Sequence, residues 1–319
     1  MITPGLFRRS LRRGLRWRVL LLWWASLLVP GAIAAAPAFA FLRQSLDHSV
    51  RAPRVVAWMD GATAIEMVRR LAADGAWRPP LTGLGAAALA LLLAAPFVAG
   101  AMVTAALSDE ELPFRQLLAG GGELYGRMLR TALAGLIPLS VAGGLVAGIV
   151  KLALIADQRA LTETAAHRIA VLAAVAAALV IFICHLLVDA ARAQFAADPA
   201  RRSALAALWS GARMAAKRPL RAAGIGALGA ALGLGVSLAL MAVRLQIAQT
   251  GAASMALAWL LAQGAQLAVG WGRALRIEGL AELSRADVAD RARPPPSAAQ
   301  VVHSTTLSAL DPPPSGAPR

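Results

Sequence analysis

The sequence predicts an all-α membrane protein, a polytopic bundle of six transmembrane helices with short amphipathic helices at the membrane surface. Three observations carry that expectation. Residues of the AVILMFWYC set make up 58% of the 319 positions and charged residues only 15%, whereas soluble domains are about 45–50% apolar even with Gly counted. Mean hydropathy is +0.63. Charge is missing from six long stretches: 24 residues between Arg18 and Arg43, 30 between Arg78 and Asp109, 20 between Arg130 and Lys151, 20 between Arg168 and Asp189, 22 between Arg221 and Arg244, and 28 between Arg244 and Arg273. Each exceeds the run of about 18 apolar residues that marks a membrane span. Lipid leaves no partner for an unpaired backbone group, so a spanning segment must be a helix or part of a closed barrel. These runs are continuously apolar, as in 87–96 (AALALLLAAP), and lack the period-2 alternation of a barrel strand.

The elements follow in chain order. Residues 1–18 form a basic lead in which Leu6, Leu11, Leu15 and Trp17 are interspersed with six Arg, a composition suited to the membrane surface. The first span covers about 19–41. Arg8–Arg9 before it and Ala36–Ala40 (APAFA) within it also have the shape of a cleavable signal. The apolar stretch is longer than a signal core of 7–15 residues, so a retained helix is expected. The outer segment 42–80 holds a short amphipathic helix at Ala62–Ala73, with Ile65, Val68 and Leu71 opposite Glu66, Arg69 and Arg70. Spans two to six cover about 81–106, 131–155, 168–189, 221–243 and 253–273, so the transmembrane domain runs over 19–283. Pro294–Pro296 and Pro312–Pro314 deny 284–319 a packed core, and a disordered cytoplasmic tail is expected there.

Arg and Lys set the orientation. With the N-terminus inside, the inner segments hold 22 of the 32 basic residues and the outer segments 10. The positive-inside rule then puts both chain ends in the cytoplasm of a bacterial cell and the protein in its inner membrane. A net charge of +15 is thereby explained by topology and by anionic headgroups on the cytoplasmic side rather than by nucleic acid. The clearest lipid-facing segment is 204–217. Leu205, Leu208, Trp209, Ala212 and Ala216 fall on one helical face, flanked by Arg202, Arg213 and Lys217, before Arg218 and the helix-breaking Pro219. The reading places the Trp209 ring in the interface and Arg213, Lys217 and Arg218 on lipid phosphates.

The two long inner loops echo each other. A shift of 91 positions superposes Gly120 on Gly211, Arg127 on Arg218, Leu129–Arg130 on Leu220–Arg221, and Gly135 on Gly226. Two related hairpin units would give that pattern, and so would chance in so Ala- and Leu-rich a chain.

Polar or small residues inside the spans are the candidate site. His185 and Asp189 are four apart on the fourth span. They could relay a proton, but two ligands are too few for a metal site. Asp189 also lies three residues before Arg192, the spacing of a helix-surface ion pair. Gln263 and Gln266 in the sixth span would make interhelical hydrogen bonds, each worth about 0.6–2 kcal/mol. Gly144-x-x-x-Gly148 and Gly229-x-x-x-Gly233 would pack helices within one chain or against a second copy or another membrane protein. No H-E-x-x-H, G-x-x-x-x-G-K-[ST], G-x-S-x-G or C-x-x-C occurs, so the sequence asks for no cofactor or metal and suggests no enzyme.

Several segments together resemble a group of multi-pass bacterial membrane proteins to which no reaction is assigned. They are the basic N-terminus, Leu42–Val68 (LRQSLDHSVRAPRVVAWMDGATAIEMV), Val188–Arg192 (VDAAR) and Asp198–Arg221 (DPARRSALAALWSGARMAAKRPLR). More distantly, the architecture is similar to the membrane domain attached to some glycerophosphodiester phosphodiesterases, without their soluble catalytic domain. The resemblance implies about six helices and transfers no catalytic residue. The resulting expectation is a non-enzymatic envelope scaffold or accessory subunit, with a small permease or carrier as the alternative.

Overall fold

The computed structural model describes residues 16–46, 78–108, 110–160, 162–248 and 251–292. Among these residues there are seven helices and no strand: α1 (Trp17–Leu46), α2 (Arg78–Leu107), α3 (Phe114–Asp157), α4 (Glu163–Ala197), α5 (Ala204–Lys217), α6 (Pro219–Leu245) and α7 (Ala252–Ala292). All except α5 are long and apolar enough to cross a membrane. The chain is an all-α bundle with six spans. The amphipathic helix expected at Ala62–Ala73, most of the basic lead and the Pro-rich stretches lie outside the described residues.

Each expected span falls inside one helix, but three helices run well past the charge that bounded the expectation. α3 begins at Phe114 instead of near 131, α4 ends at Ala197 instead of near 189, and α7 ends at Ala292 instead of near 273. At about 1.5 Å per residue, 44, 35 and 41 residues span about 66, 53 and 62 Å, against a hydrocarbon core of about 30 Å. The excess projects from one end of the bundle. A charge gap measures lipid contact, whereas helical hydrogen bonding continues wherever the helix still has a surface to pack on. The extension of α7 corrects the expected start of the tail, because 284–292 is helical and Ser284 and Asp287 are buried.

That projecting end holds the core. Val98, Met102 and Val103 of α2, Leu117 and Met128 of α3, Leu186, Ala190 and Phe195 of α4, Ala207 and Met214 of α5, and Ile277 and Leu280 of α7 form one buried cluster. Elsewhere the spans are thinly covered: 44% of the apolar window of α2 is buried but only 11–17% of the others. Helices α1, α2, α3, α4 and α7 close a ring, and α6 packs outside it on α7. We refer to the packed end as the basic end, because Arg16, Arg18, Arg192, Arg276 and Arg285 gather there.

The helix boundaries follow the 91-residue shift. Moved by 91, α2 would end at 198 and α4 ends at Ala197; α3 would start at 205 and α5 starts at Ala204. Close contacts follow it only in kind, because the counterpart of Gly211 is Gly120, whose Cβ would overlap the Thr104 side chain, and the backbone approach in the first hairpin is made by Gly121. A Cβ on Gly121 would lie 3.0 Å from the Phe97 carbonyl oxygen of α2, and one on Gly211 would lie 2.8 Å from the Ala190 carbonyl carbon of α4. Each hairpin thus lets its returning helix touch the backbone of the helix before it. The two stretches share few other residues, and their helices part at one point. Pro219 lies where α3 has the buried Met128, and proline supplies no N–H to continue a helix. One long helix in the first unit therefore becomes α5 and α6 in the second, with Pro219 at the first position of α6.

Candidate functional site

The basic end is bound together by arginines that reach across helices. α2 has no basic residue in its last turn, and its terminal carbonyls would lack partners. Arg16 donates to the carbonyls of Ala105 and Ser108, the latter at 2.7 Å, and Arg285 of α7 donates to that of Ala106. Cations at a helix C-terminus also meet the negative end of its dipole. Arg18 donates to the Leu112 carbonyl at 3.0 Å, and Trp17 meets Phe114 edge-on at 5.5 Å. The start of α1 is thereby fastened to the α2–α3 turn.

Deeper between α4 and α7 lies an ion cluster. Asp189 is 3% exposed. Its Oδ1 accepts from Arg192 at 2.8 Å, and its Oδ2 faces Arg276 Nη2 at 3.2 Å. Arg273 lies within electrostatic reach of Asp189, Arg192 and Arg276, and its guanidinium stacks over the Trp23 ring of α1 at 5.2 Å. Three guanidiniums therefore gather around one carboxylate. One turn below, Gln194 Nε2 donates to Ser284 Oγ at 3.0 Å, which donates to the Leu280 carbonyl. α4 and α7 run in the same direction, so the charges that follow the fourth and sixth apolar runs arrive at the same depth.

The residues singled out by sequence fall into three groups. Asp189 is central to the cluster, but His185 is exposed, and both carboxylate oxygens of Asp189 face arginines, not His185. Gln263 Oε1 accepts from Trp24 Nε1 of α1 at 2.7 Å. Gln266 contributes its backbone carbonyl, which accepts from Trp23 Nε1 at 3.1 Å, while its side chain is exposed. Gly229 and Gly233 lie against Gly272 of α7. Gly144 and Gly148 have open space where a Cβ would be, so α3 meets none of the described residues at these two positions.

Helix α5 differs most from its sequence reading. Its inward face is Ala204, Ala207, Gly211 and Met214, which the sequence reading left out. The face expected in lipid points outward, with Trp209 73% and Leu205 64% exposed; Arg213 and Lys217 are exposed beside it. α5 is apolar on two opposite sides, one against α4 and one outside. Arg218 does not belong with that outer group. It is paired with Asp290 of α7, which corrects its assignment to lipid phosphates. At the opposite end of the bundle an apolar groove of about 350 Å³ lies between α3 and α4, lined by Val150, Leu154, Ile169, Ala173 and Ala177.

A direct expectation follows for α3. Gly144→Ala and Gly148→Ala remove no contact and should raise monomer stability by up to about 1 kcal/mol each, the usual helix preference for Ala over Gly. Thermal unfolding in detergent checks this. A loss of stability together with a loss of self-association would place a second copy on that face.

Among the described residues no group of three His, Cys, Asp or Glu side chains could hold a metal. Neither a protein-family model, nor a curated protein, nor a solved structure matches the chain. Six apolar helices and a packed end define an integral, multi-pass membrane protein of all-α architecture.

Proposed function

We propose that this protein is a non-enzymatic scaffold or accessory subunit of the bacterial inner membrane, with both chain ends cytoplasmic and the basic end held against anionic headgroups. The observation that supports it best is the uneven packing. The chain concentrates its core in a packed layer at one end of the bundle and leaves the apolar sides of five spans to lipid or to neighbouring proteins. The outer face of α5 fits the same reading, because Trp209 and Leu205 offer apolar area at interface depth and Arg213 and Lys217 flank it with cations.

Depth measurement tests the placement of α5. A nitroxide at Trp209→Cys in a Cys184→Ser background should relax with lipid-soluble oxygen more than with a water-soluble nickel reagent. A label as open to the aqueous reagent as one in free solution would remove α5 from the membrane surface. Reconstitution tests the role. The purified protein in vesicles should move no solute, and cross-linking in native membranes should capture neighbouring proteins on α3 and α4.

A small permease is the second reading, and the likeness of the two hairpins favours it, since internal repeats recur in transporters. It expects solute uptake by the protein alone that falls when Gln263, Gln266 or His185 is replaced.

A further inference from the structure

We infer that the Arg192–Arg273–Arg276 cluster between α4 and α7 is a binding site for a phosphate oxyanion at the membrane boundary. The inference does not rest on the scaffold reading, only on the chain being in a membrane.

Charge is the first argument. Among the described residues Arg192 and Arg276 contact Asp189 and Arg273 lies within electrostatic reach of it, so the guanidiniums outnumber the carboxylate they share in a place largely closed to water. The side chains of Arg192 and Arg276 are only 12% and 17% exposed. An uncompensated buried charge is costly, and buried cations are ordinarily paired. Hydrogen bonding is the second argument. The buried Nε–H groups of Arg192 and Arg276 have no acceptor, and each guanidinium carries donors in a fixed fork that suits phosphate oxygens. Asp189 accepts from one of these donors through Oδ1, its Oδ2 faces Arg276 without a hydrogen bond, and one carboxylate cannot serve the rest. A phosphate brings several acceptor oxygens and the negative charge the site lacks.

Depth is the third argument. Asp189 and Arg273 are the first charged residues after the fourth and sixth apolar runs. The cluster therefore lies where hydrocarbon gives way to headgroups, which is where phosphates are concentrated. The indole of Trp23 over Arg273 holds that guanidinium in place through a cation–π contact.

Two sources present this chemistry, the phosphate of an anionic phospholipid and free inorganic phosphate. The test uses the full chain, purified and delipidated, then placed in neutral detergent, in nanodiscs of phosphatidylcholine, or in nanodiscs containing phosphatidylglycerol. Native mass spectrometry counts retained phospholipid, and thermal unfolding is followed with and without millimolar inorganic phosphate. The wild type should keep one phosphatidylglycerol or gain stability from inorganic phosphate, and which of these occurs names the source. Arg276→Gln and Arg273→Gln should each weaken that binding roughly tenfold or more, the scale of one charge-assisted hydrogen bond. Lys151→Gln and Arg159→Gln, exposed at the opposite end of the bundle, should leave it unchanged.

Asp189→Asn separates an anion site from a purely structural ion cluster and keeps the test open if an arginine variant does not fold. Removing the competing carboxylate should lower stability in neutral detergent and increase the stabilisation gained from the anion. Phosphatidylglycerol retention and stabilisation by inorganic phosphate that are both the same in wild type and Arg276→Gln, or an Asp189→Asn variant that anions fail to restore, overturns the proposal.

Discussion

Gly272→Leu is expected to open the seam between α6 and α7 and to cost about 3 kcal/mol or more, the upper range for overpacking. A Cβ at Gly272 would overlap the carbonyl oxygen of Gly229 and come within 2.8 Å of Gly233 Cα and 3.1 Å of Gly233 N. Every one of these atoms is backbone and cannot swing aside as a side chain does. The helices would have to separate, and Gly233, whose own Cβ position is 3.0 Å from the Ala268 carbonyl oxygen, would lose its contact as well. In lipid such a loss is not offset by hydrophobic re-closure, because acyl chains fill the gap as well as a side chain does. Denaturation of the purified protein by increasing SDS measures the effect. Gly148→Leu, in open space on α3, is the control and should leave the midpoint in place. A Gly272→Leu midpoint equal to the control's would mean that α6 and α7 do not meet at these glycines.

The spans were legible from charge alone because lipid imposes one rule on all of them: no ionised side chain without a partner for about 20 residues. The same rule is silent past the membrane. Arg115, Arg127 and Arg130 mark the third charged segment, yet Phe114–Arg130 is continuous with α3, and Leu117 and Met128 are among the most buried residues of the chain. In α5 the larger side chains, Leu205 and Trp209, drew attention to the outer face. The inner face is built from Ala207 and Gly211, whose value is that they let α4 approach closely, and small size carries little hydropathy signal. The weak identity at a shift of 91 coincides with the helix ends, while its glycines differ in what they meet, Gly211 the Ala190 backbone and Gly120 the Thr104 side chain.

The candidate site was half legible. Asp189 stands out as a lone acid at the end of an apolar run, and its spacing to Arg192 foretold one ion pair. Arg273 and Arg276 were counted toward topology, and nothing in their local sequence says that α7 lies beside α4. Their convergence depends on α4 and α7 running the same way with α6 excluded from the ring, which is a property of tertiary packing. His185 illustrates the converse. It shares a helical face with Asp189, but the neighbouring helix brought arginines to the carboxylate, which left His185 exposed.

Asp189→Ala should be the most damaging single removal of a charge, costing about 3–5 kcal/mol in neutral detergent. The loss is not the value of two ion pairs. It is the cost of leaving Arg192, Arg273 and Arg276 near one another with Asp189, the counterion they share, gone, 3.2 Å or less having separated Asp189 from two of them. Comparison with Asp198 isolates this effect. Asp198 pairs with Arg201 at 3.4 Å but is 41% exposed, so Asp198→Ala should cost no more than about 1 kcal/mol and the loss should shrink in high salt. The Asp189→Ala deficit should persist in high concentrations of a salt whose anion is too weakly coordinating to replace a carboxylate. Removing the cation as well should recover part of it: Asp189→Leu with Arg276→Met returns two apolar side chains to the α4–α7 contact, and the double variant should be more stable than Asp189→Leu alone. Unfolding midpoints of the four proteins, wild type, both single variants and the double, give the coupling directly. Simple additivity across that cycle would show that Asp189 and Arg276 do not share the burden of burial, and the cluster would then reduce to the Asp189–Arg192 pair on a single helix.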